Sequence, residues 1–148
     1  GTEDDVIGYI ETFKEKFFNL DMEKIAFPRS VNGLKKYKDS SAIYKKSTPI
    51  HVKGSLIYNH MLKSQKLTRK YPTIKEGEKV KFTYLKDPNP AGDKVISIID
   101  NLPKEFELEK YIDYDTQFEK AFVEPLKGVL DVIGWDTERR SSLNDFFS

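Results

Sequence analysis

Residues 76–99 read EGEKVKFTYLKDPNPAGDKVISII. Residues 78–86 and 94–99 are rich in Val, Ile, Phe and Tyr and are bounded by turn formers, the composition of strands. Between them DPNPAGD carries two prolines, which lack the amide that a sheet interior requires, so the segment predicts a long hairpin loop joining two antiparallel strands. Working outward, Thr48 is expected to cap a helix with Pro49 at its first position, running to about Ser64. Its Ile50, Gly54, Ile57 and Met61 fall on one stripe, and Gly54 permits close packing. Lys38–Lys46 shows no periodicity and predicts an exposed loop. Ser30 is placed to cap a small helix over residues 31–37, after an extended piece at Lys24–Pro28. Val6, Ile10, Phe13, Phe17 and Leu20 recur at helical steps and predict an amphipathic helix over 4–20, with acids at Glu3, Asp4 and Asp5 where the macrodipole favours them. On the other flank, Phe118, Phe122, Leu126, Val129 and Ile133 mark a helical face from Asp115 to about Ile133. Pro125 is expected to kink or break it and Gly134 to end it. The fold class is therefore α+β, mostly helical, with a small antiparallel sheet.

The chain has 148 residues, a length at which a single domain buries roughly 70% of its extended-chain surface. There is no cysteine, which excludes disulfides, thiolate nucleophiles and sulfur-ligated zinc. At 38% hydrophobic and 13% aromatic the chain is not a disordered one. No apolar run approaches the roughly 18–20 residues of a membrane span, and the start lacks a basic n-region, so the reading is a soluble, intracellular-type domain without a membrane partner.

The net charge of +1 hides a partition. Residues 29–86 hold fifteen Lys and Arg against three acids, a balance of +12, whereas residues 1–28 stand at −4 and residues 87–148 at −7. Such a middle concentrates positive potential, as a solvated face or as a polyanion site. Metal chemistry has little to build on: His51 and His60 lie nine positions apart and point to different helix faces. No nucleotide-binding glycine loop or Ser-His-acid order is present. Asp113-Tyr114-Asp115 has the spacing of a pair that holds two Mg²⁺ ions, but such a site needs a third carboxylate on a neighbouring strand. At the start of a helix these acids read as capping residues. At the other end, Leu143, Phe146 and Phe147 would form one apolar side of a helical turn. This is the pattern of peptides that plug the pocket of a sliding clamp, and equally of a tail folded onto its own domain.

Four segments, in order along nearly the whole chain, carry a family resemblance. Thr48–Asn59 (TPIHVKGSLIYN) is similar to a Pro-x-His-(Ile/Val)-(Arg/Lys)-Gly-x-Leu-x-Tyr helix. Glu76–Ile96 resembles a hairpin with a Glu-Gly-Glu-Lys-Val opening and an Asn-Pro-x-Gly-Asp-Lys turn. Asp113–Gly128 resembles a terminal helix with a Glu-Lys-x-Phe-x-x-Pro-Leu core, and Ser142–Phe147 a Ser-Leu-x-Asp-hydrophobic-Phe tail. Together they resemble the C-terminal thumb region of replicative family B DNA polymerases of the T-even tailed-phage kind.

The resemblance implies a thumb domain over residues 1–141 and a flexible clamp-binding tail over 142–148. It implies that the chain grips primer–template duplex DNA, tethers a polymerase to its sliding clamp and works beside the remaining polymerase domains or polypeptide, in the cytoplasm of an infected host cell. A thumb holds phosphates without reading sequence, through Lys, Arg and backbone donors. The expected DNA contacts are His51, Lys53, Lys79, Lys81 and Lys86, with Lys45, Lys46 and Arg69 as weaker candidates, and the clamp contacts are Leu143, Phe146 and Phe147. The exonuclease, the fingers and the Tyr-Gly-Asp-Thr-Asp catalytic motif are absent from these residues. The chain then carries no cofactor of its own, Mg²⁺ belongs to a palm elsewhere, and the chain is a piece of a polymerase or one product of a split polymerase gene. The helix over 4–20 is expected to be a palm-side or linker element, because adjacent Phe17 and Phe18 should not both face one core. The reading from another class is a stand-alone accessory protein that binds nucleic acid and carries a clamp-binding tail.

Overall fold

The computed structural model describes residues 2–134, which divide into two compact units, one of residues 2–20 with 114–134 and one of residues 21–113. In chain order the helices and strands are α1 (Thr2–Phe18), α2 (Met22–Ile25), β1 (Phe27–Ser30), α3 (Leu34–Tyr37), α4 (Ile50–Ser64), β2 (Lys79–Tyr84), β3 (Val95–Ile98), α5 (Tyr114–Phe118) and α6 (Glu124–Ile133). This is the expected α+β class.

In the first unit α1 packs against the pair α5–α6. Phe13, Phe17, Phe18, Tyr114, Phe118 and Phe122 form a continuous aromatic cluster, with Phe13 and Phe122 centroids 5.0 Å apart and Phe118 and Phe122 stacked at 5.3 Å. Edge-on and offset ring pairs of this kind stabilise beyond their buried area. Phe17 and Phe18, expected to face apart, both reach Phe118, at 5.3 and 6.2 Å, and both reach Tyr114. They lie at the last turn of α1, where two neighbouring rings can straddle one partner. The Tyr114 hydroxyl donates to the Leu20 carbonyl at 2.6 Å and ties the end of α1 to the start of α5. Further along, Ile10 and Leu130 are buried together with Val6, Ile7 and Leu126 around them.

Pro125 does not break the helical run. The chain passes from α5 into a π-turn at Glu119–Val123, where the Glu124 amide donates to the Glu119 carbonyl. The wider turn takes up the ladder just before the proline, whose missing N–H then falls in the first turn of α6, where no donor is required. Gly134, at φ +74°, ends α6 as expected.

The second unit is a three-stranded antiparallel sheet in the order β1-β2-β3, with α4 lying on it. The hairpin pairs Lys81 with Ile98 and Tyr84 with Val95, and β1 adds a third strand, pairing Phe27 with Phe82 and Ser30 with Lys79. This revises the reading of Lys24–Pro28 as extended. Residues 22–25 are helical, and Pro28 is tolerated in β1 because that strand is an edge. Gly54 of α4 sits directly against β3: a Cβ there would meet the Ser97 amide nitrogen at 2.8 Å. Val52, Ile57, Leu62, Val95, Ile96 and Ile98 are fully enclosed, and the short 3₁₀ turns after β3 add Phe106, whose ring meets Tyr58 edge-on at 5.6 Å.

Two expected caps are differently made. Helix α3 begins at Leu34 after Gly33, which is at φ +101°, so Ser30 caps nothing and belongs to β1. The Glu76 carboxylate instead accepts from the Gly33 amide at 2.8 Å and the Leu34 amide at 2.9 Å, and these two bonds hold its pKa below the usual value. Thr48 does not cap α4 either. Its hydroxyl donates to the Lys45 carbonyl at 2.6 Å, and Pro49 holds the cap position.

Candidate nucleic-acid interface

Within residues 21–113 the first turn of α4, the loop before it and the hairpin loop meet at Tyr44. The Tyr44 hydroxyl donates to the Asp93 carboxylate in the hairpin loop, and the Lys53 ammonium lies 4.9 Å from the centre of the Tyr44 ring. A cation over a ring face is attracted by the ring quadrupole, so Lys53 is held in place with its charge uncancelled. Burial, and then the Asp93 hydrogen bond and charge, push the Tyr44 phenol up to about 12, so it remains a neutral donor at any physiological pH. The loop itself is set by backbone bonds: the Lys45 amide donates to the Tyr37 carbonyl at 2.8 Å, and Lys38 and Tyr44 form a short antiparallel bridge. Lys45 and Lys46 are exposed beside this pin.

The hairpin loop is braced from inside. Asn89 Nδ2 donates to the Lys86 carbonyl at 2.8 Å and to the Asp93 carbonyl at 2.7 Å, while its Oδ1 accepts from the Ala91 amide. The Lys86 amide donates to the Tyr111 carbonyl at 2.8 Å, leaving its side chain exposed on the loop. Four of the expected residues, Lys45, Lys46, Lys53 and Lys86, therefore sit on segments that Tyr44 and Asp93 connect.

The other candidates are placed differently. Ser97 turns its hydroxyl toward α4, donating to the His51 carbonyl at 2.9 Å, and it pairs with Phe82. By strand alternation Val80, Phe82 and Arg29, the partner of Val80, share that face. Lys79 and Lys81 therefore project from the opposite face of the sheet. Arg69 lies in the turn after the C-terminal end of α4, whereas Lys53 lies in the first turn of that helix. His51 is half-buried. Burial, and then the positive charge of Arg29, hold its imidazole below the ordinary 6.5, against a smaller opposing effect from the Ser30 backbone, so at neutral pH it offers a neutral ring and no fixed charge.

Arg29 itself was not among the expected contacts. It stacks over Phe82 at 5.5 Å, on the sheet face that α4 covers, and the only sign of it in the sequence is membership of the basic stretch. Leu143, Phe146 and Phe147, and the tail reading built on them, lie outside the described residues. Asp115 occupies the first turn of α5, and the Asp113 amide donates to the Tyr84 carbonyl at 3.0 Å. Among the described residues no group of three or more His, Asp or Glu is disposed to hold a metal ion. Likewise, among the described residues no helix is long and apolar enough to cross a membrane.

The segments that carry Lys45, Lys46, Lys53 and Lys86 thus meet around Tyr44, and of these lysines Lys53 lies against its ring. No protein-family profile matches the chain. It is 33% identical, over 149 aligned positions covering 98% of its length, to the DNA-directed DNA polymerase of Enterobacteria phage T4. It is 35% identical over 136 positions, 88% of its length, to the DNA-directed DNA polymerase of Escherichia phage RB69. The chain is thus homologous to a segment of these phage polymerases, and it spans 16% and 14% of their lengths.

Proposed function

We propose that the chain is the thumb portion of a viral DNA-directed DNA polymerase, holding the primer–template duplex and tethering the enzyme to its sliding clamp during replication in the host cytoplasm. The observation that carries this reading is similarity to phage DNA polymerases along 98% of the chain, coinciding with a basic middle whose lysines are presented on ordered segments. Phosphate gripping is a task for Lys without sequence readout, and Lys45, Lys46, Lys53 and Lys86 are the residues that the Tyr44 pin groups for it. Lys79 and Lys81 serve a second contact line on the other sheet face. The Mg²⁺ chemistry belongs to the remaining polymerase portion, with which this chain works.

The test is titration of the chain into a labelled duplex at two ionic strengths. Binding without sequence preference is expected at about 10⁻⁴–10⁻⁶ M, falling steeply with salt. Lys45→Glu with Lys46→Glu and Lys53→Glu should weaken it and flatten the salt dependence. Salt-insensitive binding, or none at low salt, would count against the proposal. For the tether, Phe146→Ala with Phe147→Ala should abolish binding to a sliding clamp, of about micromolar strength, and leave duplex affinity unchanged.

A further inference from the structure

We propose that the cleft between α3, the loop after it and α4 is a docking site for an acidic amphipathic segment of a partner protein. The cleft encloses about 370 Å³ and is lined on its apolar side by Leu34, Ile43 and Leu56 and on its charged side by Lys35, Lys38 and Lys63. Its volume falls within the range of sites that take an organic group, roughly 300–1,000 Å³.

Two polar side chains in the cleft are already committed. Asn59 donates to the Ile74 carbonyl at 2.8 Å and accepts from the Ile74 amide at 2.7 Å. Asp39 accepts from the Ser41 amide and hydroxyl, both at 2.8 Å, and these bonds hold its carboxyl below the usual range. What remains to meet a ligand is Lys35, Lys38 and Lys63, with the exposed His60 and Ser40 beside them, three lysine charges against the single carboxylate of Asp39. Among the described residues, Lys38 and Lys63 lie in no ion pair within 4.0 Å, and the ion pairs formed there join Lys70 to Glu105, Lys94 to Asp87 and Lys120 to Glu124. The complement of this lining is therefore carboxylates flanking an apolar anchor.

The lining also separates a peptide from a nucleic-acid strand. Sites that hold single strands stack bases on aromatic rings. His60 is the single ring among the lining residues, too few to stack successive bases, and the apolar side is aliphatic, which suits a Leu or Phe anchor. The site is distinct from the Tyr44 surface, because none of Tyr44, Lys45, Lys53 and Asp93 contributes to it.

The experiment titrates the full chain into a fluorescent peptide of Asp and Glu that carries Leu and Phe four positions apart, read by anisotropy. Saturable binding is expected, weakened at least about tenfold by Lys38→Glu with Lys63→Glu and also weakened by Ile43→Ser. Lys45→Glu with Lys53→Glu should leave peptide binding unchanged while reducing duplex binding, so failure of this proposal and failure of the thumb reading are separable. Absence of saturable binding would overturn it. So would equal affinity for a Glu-only peptide, which would make the cleft an unselective cationic surface. Displacement of the peptide by oligothymidylate whose own affinity falls with Ile43→Ser would also overturn it, by assigning the cleft to single-stranded nucleic acid.

Discussion

Gly54→Ala should destabilise the second unit, although it replaces a poor helix former by the best one. An added Cβ would lie 2.4 Å from Ser97 Oγ, 2.8 Å from the Ser97 nitrogen and 3.1 Å from the Ile96 carbonyl carbon. The hydroxyl can turn away, at the cost of its hydrogen bond to the His51 carbonyl, typically about 0.5–1.5 kcal/mol. The two backbone atoms cannot turn, because they belong to β3 in the middle of its ladder with β2. Either α4 lifts from the sheet or the strand bends, and overpacking of this sort costs about 1–3 kcal/mol. Against this stands a gain in helix propensity of about 1 kcal/mol. The net expectation is a loss of about 1–3 kcal/mol. With a urea slope of about 1–3 kcal/mol/M, that lowers the denaturation midpoint, followed by far-UV circular dichroism, by about 1 M. Adding Ser97→Ala should recover only part of the loss, since it removes the 2.4 Å contact and leaves the 2.8 Å one. Because α4 carries Lys53, the variant should also bind duplex DNA more weakly. A Gly54→Ala protein as stable as the parent would refute the close packing of α4 on β3.

Lys70 and then Tyr71 hydrogen-bond the Glu105 carboxylate and hold its pKa at about 2, below the ordinary 4.5. A lowered acid stabilises fully above its unfolded value, so this contribution should vanish as pH falls from about 4.5 towards 2, and Glu105→Gln should flatten the melting temperature across that window. Tyr44→Phe keeps the ring under Lys53 but removes the donor to Asp93, so it should cost about 1–2 kcal/mol and speed amide exchange in the hairpin loop. The same variant should lose the phenol component that titrates near 12, and an unchanged titration would place that phenol elsewhere. With Mg²⁺ and a primed template the purified chain should extend no primer, and extension abolished by Asp113→Asn with Asp115→Asn would overturn the expectation that those acids hold no catalytic metal.

The periodic and punctuated segments were legible in the sequence. The hairpin strands fall at Lys79–Tyr84 and Val95–Ile98, inside the stretches that their composition marks. Helices α1 and α4, the buried Gly54-Ile57-Met61 stripe and the left-handed Gly134 stop follow from spacing and from glycine's freedom at positive φ. These features depend on neighbours two to four positions apart, which is the range over which a sequence pattern reports. The partnerships made across long separations were decided by the tertiary structure. Phe27–Ser30 becomes a strand only because β2 offers it an edge some fifty positions later, and α3 is capped by a glutamate 42 positions away. Charge clustering marked the basic middle, yet the sheet turns Lys79 and Lys81 to the face opposite Arg29, and burial beside Arg29 holds the His51 imidazole below its ordinary value. In the sequence Tyr44 is one aromatic residue followed by two lysines, with nothing to mark it out. Its role as the pin joining α4 to the hairpin depends on Asp93, 49 positions on, because a side-chain hydrogen bond is defined by distance in space and leaves no trace in local spacing.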